Sequence, residues 1–152
     1  MPLFLKIGDI LSVRCDAIIN ATDSELSGSG GVDRRIHEVG GPELDAVCAA
    51  AGRLDCGRCC ITPAKGGLDA QIVVHTHGPM FGTPDAEALL RQCYIGSLAA
   101  AWDYGCRSAA VPLISAGRFC FPDELALFIA RDAISSFLET HAMTVYLMAY
   151  SE

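Results

Sequence analysis

Apolar positions along this chain follow two rhythms. Short β-branched or apolar runs at residues 4–7, 17–20, 59–62, 71–76, 109–113 and 144–148 read as strands. Between them, apolar residues recur three and four apart. Val32, Ile36 and Val39 share a face that is expected to stop at Gly40-Gly41, and Pro42 suits the first turn of a further helix carrying Leu44, Val47, Cys48 and Ala51, with Gly52 as its cap. Thr83 and Pro84 read as the N-cap and first position of a long helix whose stripe of Leu90, Cys93, Tyr94, Ser97, Leu98 and Ala101 runs to Gly105. Pro122 opens a last helix, with Asp123 and Glu124 in its first turn. Strands alternating with helices predict a three-layer α/β/α sandwich on a mixed, mostly parallel sheet, expected as a single domain over residues 1–152.

Two loops interrupt the apolar rhythm with small residues. After the strand at 17–20 come a polar turn, Asn20-Ala21-Thr22-Asp23, and then Gly28-Ser29-Gly30-Gly31, directly before a helix start at Val32. Glycine lets the backbone approach a ligand closely, and free N–H groups of a first helical turn favour an anion. The strand at 109–113 is followed by Ser115-Ala116-Gly117. Ligands of such sheets lie beyond the carboxyl ends of strands, so both loops fit one edge and suggest a diphosphate between them.

Composition narrows the ligand's surroundings. The formal charge of −7 over 152 residues argues against broad nucleic-acid or acidic-membrane binding. An anion must then be held by backbone amides and a few local cations. The N-terminal stretch lacks the pattern of a signal peptide, and no apolar run approaches the roughly 18 residues of a membrane span. A cytoplasmic location is expected, with the eight cysteines reduced. Cys56-x-x-Cys59 has no second pair, and Cys59 and Cys60 open an apolar strand where cysteine packs as a small hydrophobe. His75 and His77 alternate on a strand without a third ligand at diagnostic spacing, so no metal and no cofactor is expected.

The ordered set Gly8-Asp9-Ile10, Asp16-Ala17-Ile18-Ile19-Asn20-Ala21, Gly30-Gly31-Val32-Asp33 with Ile36-His37, Gly41-Pro42, Ile61-Thr62-Pro63, Val74-His75-Thr76 with Gly78-Pro79, and Pro112-Leu113-Ile114-Ser115-Ala116-Gly117 resembles the macrodomains, an ADP-ribose-binding family. The resemblance implies that Asp9 accepts from the adenine amino group, with the Ile10 backbone beside it. It implies that Gly30, Gly31 and Val32 cradle one phosphate, and that Ser115, Ala116, Gly117, Arg118 and Phe119 form the second phosphate loop. Phe119 then flanks the distal ribose, and Phe121 matches a second aromatic. Asn20, Asp23, Asp33 and His37 fall at positions implied to be catalytic: Asn20 and Asp23 holding the ribose diol, Asp33 polarising water, and His37 at the histidine of hydrolytic members.

Three positions depart from the family pattern: Asp23 where many members have asparagine, Arg118 in place of a small aliphatic residue, and Cys120 in place of glycine. From local sequence, Asp33 also reads as an ordinary acid in a first helical turn and His37 as a packed structural histidine. The implied function is hydrolysis of ADP-ribosyl adducts at the distal ribose, on mono-ADP-ribosyl protein or O-acetyl-ADP-ribose. The implied partners are ADP-ribose or an ADP-ribosylated protein. The alternatives are a non-catalytic ADP-ribose-binding module, a phosphatase acting on ADP-ribose phosphate, and a generic nucleotide-binding domain.

Overall fold

Among the described residues six strands form one sheet in the order β1-β6-β5-β2-β4-β3. They are β1 (Leu3–Ile7), β2 (Ala17–Thr22), β3 (Cys59–Pro63), β4 (Ile72–His77), β5 (Ser108–Pro112) and β6 (Thr144–Ala149). The computed structural model describes residues 2–117 and 119–149. Every pairing is parallel except β3 with β4. The connection from β3 to β4 turns at Gly66-Gly67 and is too short for a crossover, which leaves the antiparallel partner as the geometric option. The helices α1 (Gly31–Ala51), α2 (Ala86–Tyr104) and α3 (Asp123–Leu138) lie within the other connections.

The two-residue period of the strands sorts the core into two layers. Ala17, Ile19, Ile72, Val74, Val111 and Leu147 pack with Leu90, Leu98, Ile129 and Ile134 of α2 and α3. Their neighbours Ile18, Val73, Ala110 and Met148 face the other way and pack with Ile36, Leu44 and Cys48 of α1. Each fully buried chain of this size contributes about 1.5–3 kcal/mol. The three-layer sandwich on a mixed sheet is therefore the observed architecture.

Three local expectations change. The turn expected at Asn20–Asp23 is strand as far as Thr22, and both Asn20 and Thr22 are buried. Helix α1 does not end at Gly40-Gly41. It breaks at Gly41 (φ 65°, ψ −163°) and resumes at Pro42, and the Gly67 amide donates to the Val39 carbonyl that the break releases. Helix α2 begins at Ala86, not at Pro84. Asp85 takes a left-handed conformation, and the Thr83 hydroxyl donates to the Met80 carbonyl instead of capping the helix.

Candidate functional site

Strands β2 and β5 are parallel neighbours at the centre of the sheet. The chain leaves β2 towards α1 on one face and leaves β5 towards α3 on the other. Loops that diverge to opposite faces open a crevice at the carboxyl edge. The small-residue loops at 23–31 and 113–121 flank that crevice.

The first loop is tied down by its own acids. Asp23 Oδ1 accepts from the amides of Glu25 (3.0 Å) and Ser27 (3.1 Å), and Oδ2 accepts from the hydroxyls of Ser27 and Ser29. Burial pulls the Asp23 carboxyl up, but these donors outweigh it and hold it at about 2. Asp33 is buried beneath the loop. Its Oδ1 accepts from Asn20 Nδ2 (2.8 Å), and its Oδ2 accepts from Thr22 Oγ1 (2.7 Å) and the Gly28 amide (3.0 Å). Gly31 opens α1 at φ 57°, and a Cβ there would meet nothing within 4 Å. The first amides of α1 have no acceptor inside the helix and remain available to an anion.

The second loop is pinned from inside. The Tyr94 hydroxyl accepts from the Ile114 amide (2.8 Å) and donates to the Pro112 carbonyl (3.0 Å). The Phe121 amide donates to Ser115 O (3.0 Å), and the Phe81 amide to Phe119 O (2.8 Å). Ser115 sits at φ 65° and Cys120 at φ 66°, conformations that cost a non-glycine residue energy and cluster at functional sites. The Phe119 ring stands edge-on to His77, centroids 5.8 Å apart.

Comparison with known proteins agrees with this geometry. The Macro domain family matches residues 19–130. The chain belongs to the macro domain family. It is 39% identical to the O-acetyl-ADP-ribose deacetylase of Escherichia fergusonii, over 95% of this chain and 86% of that protein. It is 42% identical to the ADP-ribose glycohydrolase MACROD1 of Bos taurus, over 88% of this chain and 42% of that longer protein. The Oceanobacillus iheyensis macrodomain solved with ADP superposes with a TM-score of 0.91 at 32% identity, covering 97% of this chain and 83% of that one. Variants of that protein replace an asparagine, a glycine and an aspartate whose spacing matches Asp23, Gly30 and Asp33 here.

Within this macro domain the expected site residues separate into two groups. Gly30 closes the first loop and Gly31 and Val32 open α1 directly after it, while Ser115, Ala116, Gly117 and Phe119 lie in the second loop. Arg118 lies outside the described residues. Asp9 caps the 3-10 turn Ile10–Ser12 by accepting from the Leu11 amide, and its Oδ2 also accepts from Arg35 Nε (3.0 Å) and Nη2 (2.9 Å). Burial raises the Asp9 carboxyl, and the Leu11 amide and the Arg35 guanidinium reverse this to a net lowering. Arg35 was not singled out by sequence, because its partner is 26 residues away. A cavity of about 330 Å³ on the α1 face borders Leu11, Ser12, Arg35 and Val39, beside this pair.

The second group is buried. Ile10 is a core side chain, 3% exposed, in the layer that packs on α1. Phe121 is 2% exposed and packs edge-on against Phe81, with its ring in the core beneath the second loop. Asn20 is fully buried and its amide group bridges Asp33 and His75. Asn20 and Thr22 thus hold the Asp33 carboxylate, whose Oδ2 also accepts from the Gly28 amide of the first loop. His37 lies between Asp45 and Asp33.

Cys93 and Cys48 behave as packed groups: burial pushes Cys93 up to about 11 and Cys48 up to about 12. Among the described residues no group of three His, Cys, Asp or Glu side chains is arranged to hold a metal ion, and no helix is long and apolar enough to cross a membrane.

His75 gives the buried network a pH dependence. Its Nδ1 accepts from Asn20, so its proton sits on Nε2 and is donated to Thr62 Oγ1 (2.9 Å). Burial, and then the neighbouring His37, push His75 down to about 4. Between the ordinary histidine value near 6.5 and about 4, the unfolded chain takes a proton that the folded chain refuses. Folding stability is therefore expected to fall as pH drops through that window. Denaturation midpoints across pH 7 to 4 should decline more steeply for the wild type than for His75→Gln, and parallel curves would remove this assignment.

Proposed function

We propose that this macro domain binds ADP-ribose and hydrolyses ADP-ribosyl adducts at the distal ribose, with O-acetyl-ADP-ribose or a mono-ADP-ribosylated protein as substrate and the whole chain acting as one unit. The observation that carries this reading is the parallel pairing of β2 with β5, after which two small-residue loops leave the same carboxyl edge towards opposite faces, the first leading into the start of α1. Relatives named O-acetyl-ADP-ribose deacetylase and ADP-ribose glycohydrolase support it. Cys15, Cys48, Cys93 and Cys106 are buried free thiols, which suits a reducing, cytoplasmic setting.

In this reading the amides of Gly30, Gly31 and Val32 hold one phosphate, and those of Ser115, Ala116 and Gly117 hold the other. Asp9 accepts from the adenine amino group beside the Ile10 backbone, and Phe119 borders the distal ribose. Clamping the diphosphate fixes the anomeric carbon over one spot, and such positioning supplies a large part of the barrier reduction. Asp23 shapes the loop that carries the ribose. Asp33, held by Asn20, forms with His37 the proton-accepting pair beneath that loop.

One observation favours binding without turnover: the oxygens of Asp33 are already engaged by Asn20, Thr22 and Gly28. Release of ADP-ribose from O-acetyl-ADP-ribose and from a carboxylate-modified protein separates the two readings. Calorimetric titration with ADP-ribose is expected to give micromolar-range binding that Asp9→Ala weakens tenfold or more, about 1.4 kcal/mol. AMP or NAD binding as tightly as ADP-ribose would point to a generic nucleotide site instead.

A further inference from the structure

We propose that Asp45 is a positioning residue of this site, which reaches across the break in α1 to hold His37 with its Nε2 towards Asp33. The proposal rests on the hydrolase reading of the Asp33–His37 pair. Asp45 Oδ1 lies 2.6 Å from His37 Nδ1. A carboxylate only accepts, so the proton of the ring sits on Nδ1 and is donated to Asp45. His37 Nε2 is then turned inward, buried without a hydrogen-bond partner and 3.4 Å from Asp33 Oδ1.

Helix geometry makes this contact unusual. Residues eight apart on a straight α-helix are about 12 Å apart along its axis, beyond the reach of these two side chains. The contact closes because the backbone reverses locally at Gly41 and Pro42 restarts the helix in a new direction. The ring is clamped from the other side as well. Gly28 of the first loop lies against it, and a Cβ there would come 2.7 Å from His37 Cγ. The His37 side chain is only 10% exposed, whereas that of Asp45 is 61% exposed. By sequence Asp45 is one more acid on the solvent side of a helix, and the break alone gives it a partner.

The order Asp45, His37, Asp33 has a chemical consequence. A carboxylate on one ring nitrogen fixes the tautomer and offsets the charge that develops when the other nitrogen takes a proton. A proton arriving at Nε2 gains Asp33 Oδ1 as its acceptor, while Asp45 balances the imidazolium from outside. Asp45 touches no ligand in this scheme and acts only through His37.

The test compares wild type, Asp45→Ala and Asp45→Asn by steady-state hydrolysis of an ADP-ribosyl adduct and by ¹⁵N NMR of the His37 ring. In Asp45→Ala, kcat is expected to fall about tenfold, with KM and ADP-ribose affinity within about twofold, because orientation and not binding is lost. The His37 resonances should move from the Nδ1–H form to a mixture. Asp45→Asn keeps a carbonyl acceptor and should restore most of the wild-type spectrum. An unchanged His37 spectrum in Asp45→Ala, or an unchanged kcat despite a changed spectrum, would overturn the proposal. Absence of turnover in the wild type would refute the hydrolase reading instead, and the NMR comparison would still decide whether Asp45 fixes the ring.

Discussion

Asp33→Ala is expected to lower hydrolytic turnover by about a hundredfold, the scale of a lost proton-transfer group, and to destabilise the fold by about 3 kcal/mol. Three donors converge on this carboxylate, from Asn20, Thr22 and the Gly28 amide, and the Asn20 and Thr22 donors are buried. Removing the acceptor leaves them unpaired in the interior, which costs more than the net worth of the hydrogen bonds themselves. A loss of that size lowers the denaturation midpoint by about 10 °C in a chain of this length. ADP-ribose affinity should weaken less than turnover, because the loop amides that face the anion are backbone groups and survive the substitution. Thermal denaturation, calorimetry and turnover on the same variant separate the three effects. Wild-type turnover in a folded Asp33→Ala protein would place the chemistry elsewhere in the crevice.

Gly78→Ala is expected to weaken ADP-ribose binding by roughly thirtyfold or more, about 2 kcal/mol, while the protein stays folded. A Cβ at Gly78 would lie 2.3 Å from Ser115 Oγ and 2.6 Å from Ile114 Cγ2. The serine hydroxyl can rotate away, but Ile114 is β-branched, stiff and fully buried. The strain therefore passes into the second loop, where Ser115 already holds a left-handed conformation. Gly96→Ala is the matched control. It lies within α2, its Cβ would meet nothing within 4 Å, and alanine there should leave binding unchanged and raise helix stability by about 0.5–1 kcal/mol. Equal affinity in Gly78→Ala and wild type would mean that the second loop does not contact the ligand.

The contrast between these two sites shows how far local sequence reaches. Gly78 attracts notice in the sequence as the end of a strand, but its closeness to Ser115 arises only when β4 and the loop after β5 meet at the same edge. Asp33 is visible as an acid at a helix start, a position it would occupy equally well as a solvent-facing charge. What buries it is Asn20 and Thr22, which local reading assigned to a turn because polar residues at a strand's end look like one. Two polar side chains continue the strand here because Asp33 and His75 supply partners from elsewhere in the chain.

By itself the sequence determined the six strands, the helical faces, the two small-residue loops and their place at strand ends. Each of these depends on neighbours within a few residues, through side-chain period, glycine freedom and proline geometry. Tertiary structure alone decided the strand order that sets β2 beside β5 and the burial of Phe121 behind Phe81. It also decided the capture of Asp9 by Arg35 and the reach of Asp45 to His37 across the break at Gly41. Those contacts join groups from eight to dozens of residues apart, and local spacing carries no record of which distant side chain satisfies a buried donor or acceptor.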